Sequence, residues 1–294
     1  MEKLNIEQLK VKYGDFTALD IREPISIEKG DRIGIIGSNG AGKTTFVKAI
    51  LGLVKYSGKI TSEINVRDMA VHMQENNYAL TMPVKYIIQA VLDTDIRGNK
   101  RLKDLIDFFD FAPCLNRKYH ALSGGQKQRL TIILVLMQNA PITFFDEVTS
   151  GLDFETREAL MAKIREWYKN SENSLCIVTH YYDELKAMTD KLLILEKGRV
   201  VAFGRTTELF ERFCGKTLII VNNNEENRLL AKEFPQSAAP EHLLAFPCNS
   251  IGDEISIVTK LSAHNIDYER TSSDIKILFA NAVRQTQKEG GENE

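Results

Sequence analysis

The amino-acid sequence predicts an α/β fold, and three features of the chain support that prediction. A short apolar segment, residues 31–36, leads into a glycine-rich turn and then into a segment with apolar residues at helical spacing. Three later apolar runs, at 142–145, 175–178 and 192–195, have the length and composition of buried parallel strands. Helical patterns separate these runs. Alternation of this kind is typical of an α/β sheet.

The glycine-rich turn carries the motif of a phosphate-binding loop. Residues 37–44 read GSNGAGKT, which fits G-x-x-x-x-G-K-[ST] with a strand pattern before it and a helix pattern after it. The glycines let successive backbone N–H groups point at one anion, Lys43 reaches the β- and γ-phosphates, and the Thr44 hydroxyl binds Mg²⁺. The motif predicts a P-loop NTPase core that binds a nucleoside triphosphate, with an incidental glycine-rich turn as the alternative.

Composition excludes several other classes of protein. The chain has 294 residues, 43% hydrophobic and 27% charged, which are the proportions of a globular protein. Its formal net charge is −2, so no whole-chain attraction to nucleic acid or an anionic membrane is expected. The longest apolar run, residues 132–137, is far shorter than the ~20 residues that cross a bilayer, and the first ten residues lack a signal-peptide pattern. The four cysteines are widely spaced, which predicts reduced thiols in or near cores of a cytoplasmic protein.

Two carboxylates close the first of the three later apolar runs. Residues 144–147 read FFDE, so a buried strand is expected to end in Asp146 and Glu147. Asp146 is placed to hold the Mg²⁺ shell through water, and Glu147 to polarise the attacking water as a general base. The second carboxylate indicates hydrolysis of the nucleotide rather than its storage.

A third motif separates ATPases from GTPases and small-molecule kinases. Residues 122–129 read LSGGQKQR, and residues 150–153 read SGLD. With these motifs the sequence resembles the ATP-binding cassette (ABC) ATPases over about residues 1–210. A serine hydroxyl and two glycine amides at the start of a helix can form a second anion site. The resemblance implies that this signature, Ser123, Gly124, Gly125 and Gln126, closes on the ATP held by a second copy of the chain in a head-to-tail dimer.

The resemblance also implies roles for single residues. Gln74 matches the family residue that meets Mg²⁺ and the attacking water, and His180 matches the histidine that contacts the γ-phosphate. Asp153 matches the loop that joins the two sites, and Tyr13 matches the aromatic on which adenine stacks. The implied catalytic residues are Glu147, His180 and Gln74, and the implied metal ligands are Thr44, Gln74 and Asp146. The nucleotide-binding residues are Tyr13, Gly37, Ser38, Asn39, Gly40, Ala41, Gly42, Lys43, Thr44 and Thr45.

The order of these patterns predicts two domains. Residues 1–213 are expected to form the ATP-binding domain, with a helical subdomain inserted at about 76–122 and, from the resemblance, an antiparallel β subdomain. Residues 214–294 predict a small α/β appendage, with strands at 217–221, 243–246 and 266–268. Helices are expected at 225–233, at 251–261 and from 275 onward. Residues 285–294 are too polar to pack, so we expect them to be disordered.

The resemblance favours an ATP-binding and ATP-hydrolysing subunit of an ABC transporter, with ATP and Mg²⁺ as cofactors. ATP-dependent closure of the dimer is expected to drive a separate membrane permease, docked at about residues 76–86. Residues 251–279 resemble the tails of bacterial exporters whose ATPase and permease are separate chains, which favours export. The protein is then expected on the inner face of the cell membrane, held there by the permease.

A second functional hypothesis is a soluble ABC-type mechanical ATPase that acts on the ribosome, DNA or an assembly complex. The chain has one cassette, no long heptad run and no lysine- or arginine-rich face, so we expect no nucleic-acid partner. The appendage is compatible with a ligand-sensing regulatory domain, or with a segment that merely packs on the core or on a second copy.

Overall fold

The computed structural model describes residues 3–73 and 78–291. Its strands are β1 Lys3–Tyr13, β2 Phe16–Ile21, β3 Ile25–Glu28, β4 Arg32–Gly37, β5 Ser57–Ser62, β6 Met69–His72, β7 Ile142–Asp146, β8 Ser174–Val178, β9 Lys191–Glu196, β10 Arg199–Arg205, β11 Thr217–Asn222, β12 Leu243–Cys248 and β13 Glu269–Thr271. Its helices are α1 Lys43–Ile50, α2 Val84–Leu92, α3 Lys100–Phe108, α4 Gly124–Met137, α5 Phe154–Tyr168, α6 Tyr182–Met188, α7 Thr206–Cys214, α8 Glu225–Ala231, α9 Ile251–Ala263 and α10 Ile275–Gly291. Short 3-10 turns lie at Val66–Asp68, Ala112–Cys114 and Tyr119–Ala121.

The described residues fall into two compact units. The first unit comprises Met1–Ile35 and Lys43–His180, and the second comprises Ile36–Gly42 and Tyr181–Glu294. The boundary between the two units at 180/181 therefore lies before the domain boundary expected at 213/214. Helices α6 and α7 and strands β9 and β10 share a unit with the C-terminal segment.

An antiparallel sheet in the first unit is built around strand β1. This strand pairs with β2, β3 and β5, all antiparallel. Its buried residues alternate as Leu4 and Ile6, and then as Leu9 and Val11. The alternation shifts by one residue where the register with β5 is irregular, between Ile6 and Gln8, as expected at a β-bulge. The antiparallel β subdomain implied by the resemblance is therefore present.

A parallel sheet in the same unit carries the acidic strand end. Strands β4, β8, β7 and β6 are neighbours in that order. Every residue of β7 and β8 is buried, as expected of strands covered on both faces. The register pairs Asp146 with Val178, and His72 with Phe145. Because parallel strands end at the same edge, Asp146, Glu147 and His180 follow neighbouring strand ends. The strands expected at 142–145 and 175–178 are confirmed.

The helical subdomain forms as its apolar spacing predicts. Helix α2 begins directly after Pro83, and α3 begins at an N-cap, Asn99, whose side chain accepts a hydrogen bond from the Leu102 N–H. One side of α3 is buried through Leu102, Leu105 and Ile106. Arg101 joins α3 to the end of α4 with a 3.0 Å hydrogen bond to the Leu136 carbonyl.

The second unit contains an antiparallel hairpin, β9–β10, and a three-stranded antiparallel sheet in the order β12-β11-β13. Helix α9 covers this sheet with Ile257 and Leu261, which join a core that includes Ile219 and Phe246. The predicted appendage elements form, although the last strand begins at Glu269, three residues later than the start expected at 266.

The expectation of a disordered tail at 285–294 is wrong as far as Gly291, because α10 continues to that residue. Gln285, Thr286 and Lys288 are tolerated in helices, and no proline interrupts the segment. The Thr286 hydroxyl also donates to the Ala282 carbonyl one turn earlier, at 3.1 Å. A helix needs no apolar face on its last turns if backbone hydrogen bonding continues from a packed segment, and Leu278 and Ala282 are fully buried.

All four cysteines are buried, which agrees with the expectation that they lie in cores. Across residues 3–73 and 78–291, none of the helices combines the length and the apolar character needed to cross a bilayer.

Candidate nucleotide-binding and hydrolysis site

The glycine-rich loop, residues 36–42, has a backbone that requires glycine at Gly37 and favours it at Gly40 and Gly42. A Cβ on Gly37 would lie 2.2 Å from the Leu195 carbonyl oxygen, so no larger residue fits there. Gly40 has a φ of +79°, in the left-handed region that favours glycine. The loop is closed by a hydrogen bond from the Ala41 N–H to the Ser38 carbonyl, and the Ala41 carbonyl accepts from the Gly198 N–H. Sharp turning of this kind suits a loop whose N–H groups face an anion.

Helix α1 begins at Lys43, directly after this loop, and places Lys43 and Thr44 in its first turn. Lys43 is buried, with 7% of its surface exposed. The N-terminus of a helix carries partial positive charge and unpaired N–H groups, and a buried ammonium in the same turn adds a full charge. This turn is suited to bind phosphate.

The Asp146 carboxylate is the most buried acidic group of the predicted site, with 1% of its surface exposed. Burial raises its pKa, and so does the negative charge of Glu147, whereas the Thr44 hydroxyl and the positive charges of Lys43 and Lys48 lower it. The Thr44 hydroxyl acts on this carboxylate without reaching full hydrogen-bond geometry, so among the described residues neither carboxylate oxygen has a hydrogen-bond partner. A buried carboxylate without a partner is costly unless a cation or its water shell satisfies it. Asp146 beside the Thr44 hydroxyl offers the hard oxygen ligands that Mg²⁺ prefers, so these residues fit that ion.

Glu147 is held by its backbone in an unusual conformation next to His180. Its φ is +51°, which few non-glycine residues adopt and which often marks functional positions. The conformation is fixed by two hydrogen bonds, from the Glu147 N–H to the Val178 carbonyl at 2.9 Å and from the Ser150 N–H to the Glu147 carbonyl at 3.0 Å. The side chain then meets His180, with Nε2 2.9 Å from Oε1. Both side chains remain partly exposed, 20% for Glu147 and 42% for His180, so substrate can reach them.

The signature residues form the start of α4. Ser123 is the N-cap, and its hydroxyl accepts from the Gln126 N–H at 3.3 Å. The Gln126 side chain in turn accepts from the Ser123 N–H at 3.0 Å, which completes a capping box. Ser123 and Gly124 are exposed at this helix N-terminus. The hydroxyl hydrogen of Ser123 is still available to donate to an anion from outside.

Asp153 caps the next helix and contacts the signature through Thr156. Its carboxylate accepts from the Thr156 N–H at 2.9 Å and from the Thr156 hydroxyl at 2.7 Å. The first of these hydrogen bonds is the main reason that the pKa of Asp153 is lowered. The Thr156 methyl group lies 2.6 Å from the position that a Cβ on Gly125 would take. The signature and the predicted joining loop are thus packed together within one chain.

The structure brings the predicted residues of the first unit into two groups. One contains Lys43, Thr44, Asp146, Glu147 and His180, and the other contains the signature and Asp153.

Tyr13 ends β1, is 48% exposed and pairs with Phe16 across the hairpin. Gln74 lies outside the described residues. Sequence reasoning missed Thr156, which no motif marks, and it missed His72, whose position as a polar residue closing an apolar strand was a usable signal.

Comparisons with known proteins show the family of this chain. The family model described as ABC transporter matches residues 24–150. The tungstate uptake system ATP-binding protein TupC of Peptoclostridium acidaminophilum is 30% identical, over 67% of this chain and 96% of that protein. The methionine import ATP-binding protein MetN of Clostridioides difficile is 27% identical over 87% of this chain and 86% of that protein. The solved structure of cbiO1 from Clostridium perfringens, part of the ABC transporter complex cbiONQ, has a TM-score of 0.62 at 26% identity, covering 70% of this chain and 90% of that one.

The chain therefore belongs to the family of ABC transporter ATP-binding subunits, and it is an ATPase. Subunits of this family work as dimers with membrane permeases.

Proposed function

We propose that the chain hydrolyses MgATP with the group Lys43, Thr44, Asp146, Glu147 and His180, and that this hydrolysis drives solute transport through a separate permease. The observation that carries the assignment is the buried Asp146 carboxylate, which has no hydrogen-bond partner among the described residues and lies beside the first turn of α1. Residues 37–45 bind the triphosphate, and Tyr13 stacks on the base.

The chain's own residues divide the chemistry between them. The Lys43 ammonium and the N–H groups of the loop hold the β- and γ-phosphates in place. Glu147 accepts a proton from the attacking water. At the same time the water oxygen bonds to the γ-phosphorus, and the bond from that phosphorus to the ADP oxygen breaks. His180 holds the Glu147 carboxylate in one orientation through the 2.9 Å contact. Thr44, Asp146 and Gln74 would hold Mg²⁺, and the ion would supply positive charge against the phosphate oxygens.

Two copies are needed to complete each site in this proposal. The N-terminus of α4 exposes Ser123 and Gly124 to solvent, and Ser123 already satisfies its own helix while keeping a donor to offer. A helix N-terminus of this kind binds an anion, and the γ-phosphate held by a second copy is the anion we assign to it. Dimer closure then depends on ATP.

The proposed transport direction is uptake. The relatives include proteins named for methionine import and tungstate uptake. The export direction expected from residues 251–279 is not supported by these relatives. We place the protein on the inner face of the membrane, bound to its permease. We retain residues 1–213 as the ATP-binding domain and 214–294 as the appendage.

The proposed permease-docking face is an exposed apolar patch in the helical subdomain. Leu80, Met82 and Tyr86 are 61%, 39% and 50% exposed. Backbone hydrogen bonds hold this segment against residues 115–120, for example from the His120 N–H to the Leu80 carbonyl at 3.0 Å. An ordered backbone that presents large apolar side chains to solvent is typical of a protein-binding surface.

Charge substitution on this patch tests the proposal. We expect Leu80→Glu and Tyr86→Glu to release the chain from membrane vesicles of the source organism in a sedimentation assay, while the ATPase activity of the free chain stays near that of the unmodified protein. Val91→Glu is the matched control, because Val91 is 53% exposed on a different face of α2. Equal retention of all three variants on the vesicles, or equal release, would contradict the docking assignment.

A further inference from the structure

His72 is a fully buried polar residue at the end of β6. It pairs in register with Phe145, and the two rings meet edge to face with centroids 6.1 Å apart. Phe145 precedes Asp146 in β7, so His72 lies beside the strand end that carries the acidic pair. The other residues of β6, Met69, Ala70 and Val71, are apolar, and an apolar residue at 72 would need no polar partner.

The imidazole makes a directional side-chain contact with helix α4. His72 Nε2 lies 2.8 Å from Gln128 Oε1. An amide oxygen only accepts, so Nε2 carries the hydrogen and donates it. In that tautomer Nδ1 is an acceptor only, and it has no hydrogen-bond partner among the described residues. The Gln128 amide is therefore the side-chain partner that orients the ring.

This bond joins the two groups of functional residues in the first unit. Gln128 lies in the second turn of α4, whose N-terminus is the signature at Ser123. His72 lies next to the strand that ends at Asp146 and Glu147. This hydrogen bond is partly buried, and a directional bond of this kind permits one relative position of its partners, whereas apolar contacts tolerate sliding.

We propose that His72 is a positioning residue that fixes helix α4, and with it the signature, relative to the strand ends that carry Asp146 and Glu147. The proposal rests on the assignment of ATP hydrolysis to Asp146 and Glu147. Small displacements of a positioned group lower the rate of the chemical step more than they weaken binding of the substrate.

A pair of apolar substitutions separates this role from simple packing. Gln128→Met leaves the fully buried His72 without its partner, and His72→Met leaves the half-buried Gln128 without its partner. Both variants are therefore expected to lower the free energy of unfolding in urea. We expect both to lower kcat by roughly 10-fold with the KM for ATP little changed. The double variant removes both polar groups, so stability recovers, because no buried group is left unsatisfied. Its kcat is expected to remain low.

His72→Gln supplies the conservative control, since its side-chain N–H can donate to Gln128 Oε1. We expect this variant to restore kcat to within about twofold or threefold of the unmodified protein. Recovery of kcat together with stability in the double variant, or a His72→Gln variant no more active than His72→Met, would overturn the proposal. The double variant keeps the test decisive even where a single variant fails to fold.

Glu147→Gln in the same assay distinguishes failure of the proposed hydrolysis site from failure of the positioning role of His72. Wild-type turnover by Glu147→Gln would show that the proposed hydrolysis site is wrong. Loss of turnover in Glu147→Gln, with unchanged kcat in His72→Met and Gln128→Met, would overturn only the positioning role of His72.

Discussion

His180 Nε2 lies 2.9 Å from Glu147 Oε1, which places the predicted general base in direct contact with the predicted γ-phosphate ligand. Glu147 reaches this contact from a backbone with φ +51°, held by the Val178 carbonyl of the neighbouring strand. The positions of both side chains are therefore set at one edge of the sheet, where β7 and β8 end. The contact leads to predictions about each residue and about the two together.

Glu147→Gln is expected to slow ATP turnover by ~10²–10⁴-fold, because the amide cannot accept the proton of the attacking water. Affinity for ATP should be retained, since shape and backbone are unchanged. Steady-state turnover and equilibrium binding of a fluorescent ATP analogue measure the two effects. The control is Glu158→Gln, an exposed glutamate on α5, which should hydrolyse ATP normally. Normal turnover by Glu147→Gln would remove Glu147 from the role of general base.

His180→Ala is expected to lower kcat by roughly 10- to 100-fold, because the Glu147 carboxylate loses the group that orients it. Residues that act as a unit have non-additive effects, so the double variant Glu147→Gln/His180→Ala should be little slower than Glu147→Gln alone. Rapid-quench measurement of single turnovers decides between these results. Multiplication of the two single effects would show that the residues act independently.

Asp146→Asn is expected to abolish the gain in ATP affinity that Mg²⁺ provides, because the buried carboxylate is the proposed anionic partner of the ion. ATP binding is compared with Mg²⁺ and with EDTA, by calorimetry, for the variant and the unmodified chain. A variant whose ATP affinity still rises with Mg²⁺ as in the unmodified protein would contradict this assignment.

The ATP-dependent dimer is tested in the Glu147→Gln background, in which ATP persists. We expect monomer with ADP and dimer with ATP in sedimentation velocity, because only ATP offers a γ-phosphate to the signature of the other copy. Adding Ser123→Arg should abolish the dimer by filling the exposed N-terminus of α4. Adding Ser256→Arg, on the exposed side of α9, should leave it intact. A dimer that forms equally with ADP, or one that Ser123→Arg does not affect, would defeat the model.

Gly125→Ala is expected to destabilise the chain by ~1–3 kcal/mol, because the new Cβ would lie 2.6 Å from the Thr156 methyl group. That methyl group cannot turn away without breaking the hydrogen bond from the Thr156 hydroxyl to Asp153, 2.7 Å long. Thr156→Ser removes the methyl group and keeps the hydroxyl, so the double variant Gly125→Ala/Thr156→Ser should regain most of the stability that Gly125→Ala loses. Urea unfolding of the two single variants and the double variant measures this. Absence of any rescue would show that the glycine is required for another reason.

The sequence by itself determined the fold class, the phosphate-binding loop and the acidic end of β7. These features are local: a glycine-rich turn between a strand pattern and a helix pattern, or two carboxylates after an apolar run, can be recognised within about ten residues. The strands at 142–145 and 175–178 were predictable for the same reason. The helix over residues 285–291 was not predictable, because α10 continues from a packed segment that local polarity does not reveal.

The tertiary structure alone decided which distant residues touch. The contact of Glu147 with His180, the packing of Thr156 against Gly125 and the bond of His72 to Gln128 each join residues separated by at least 31 positions. Sequence spacing carries no distance information across such separations. These contacts arise because parallel strands bring their ends to one edge and because helices pack beside that edge, and both depend on burial of the whole sheet.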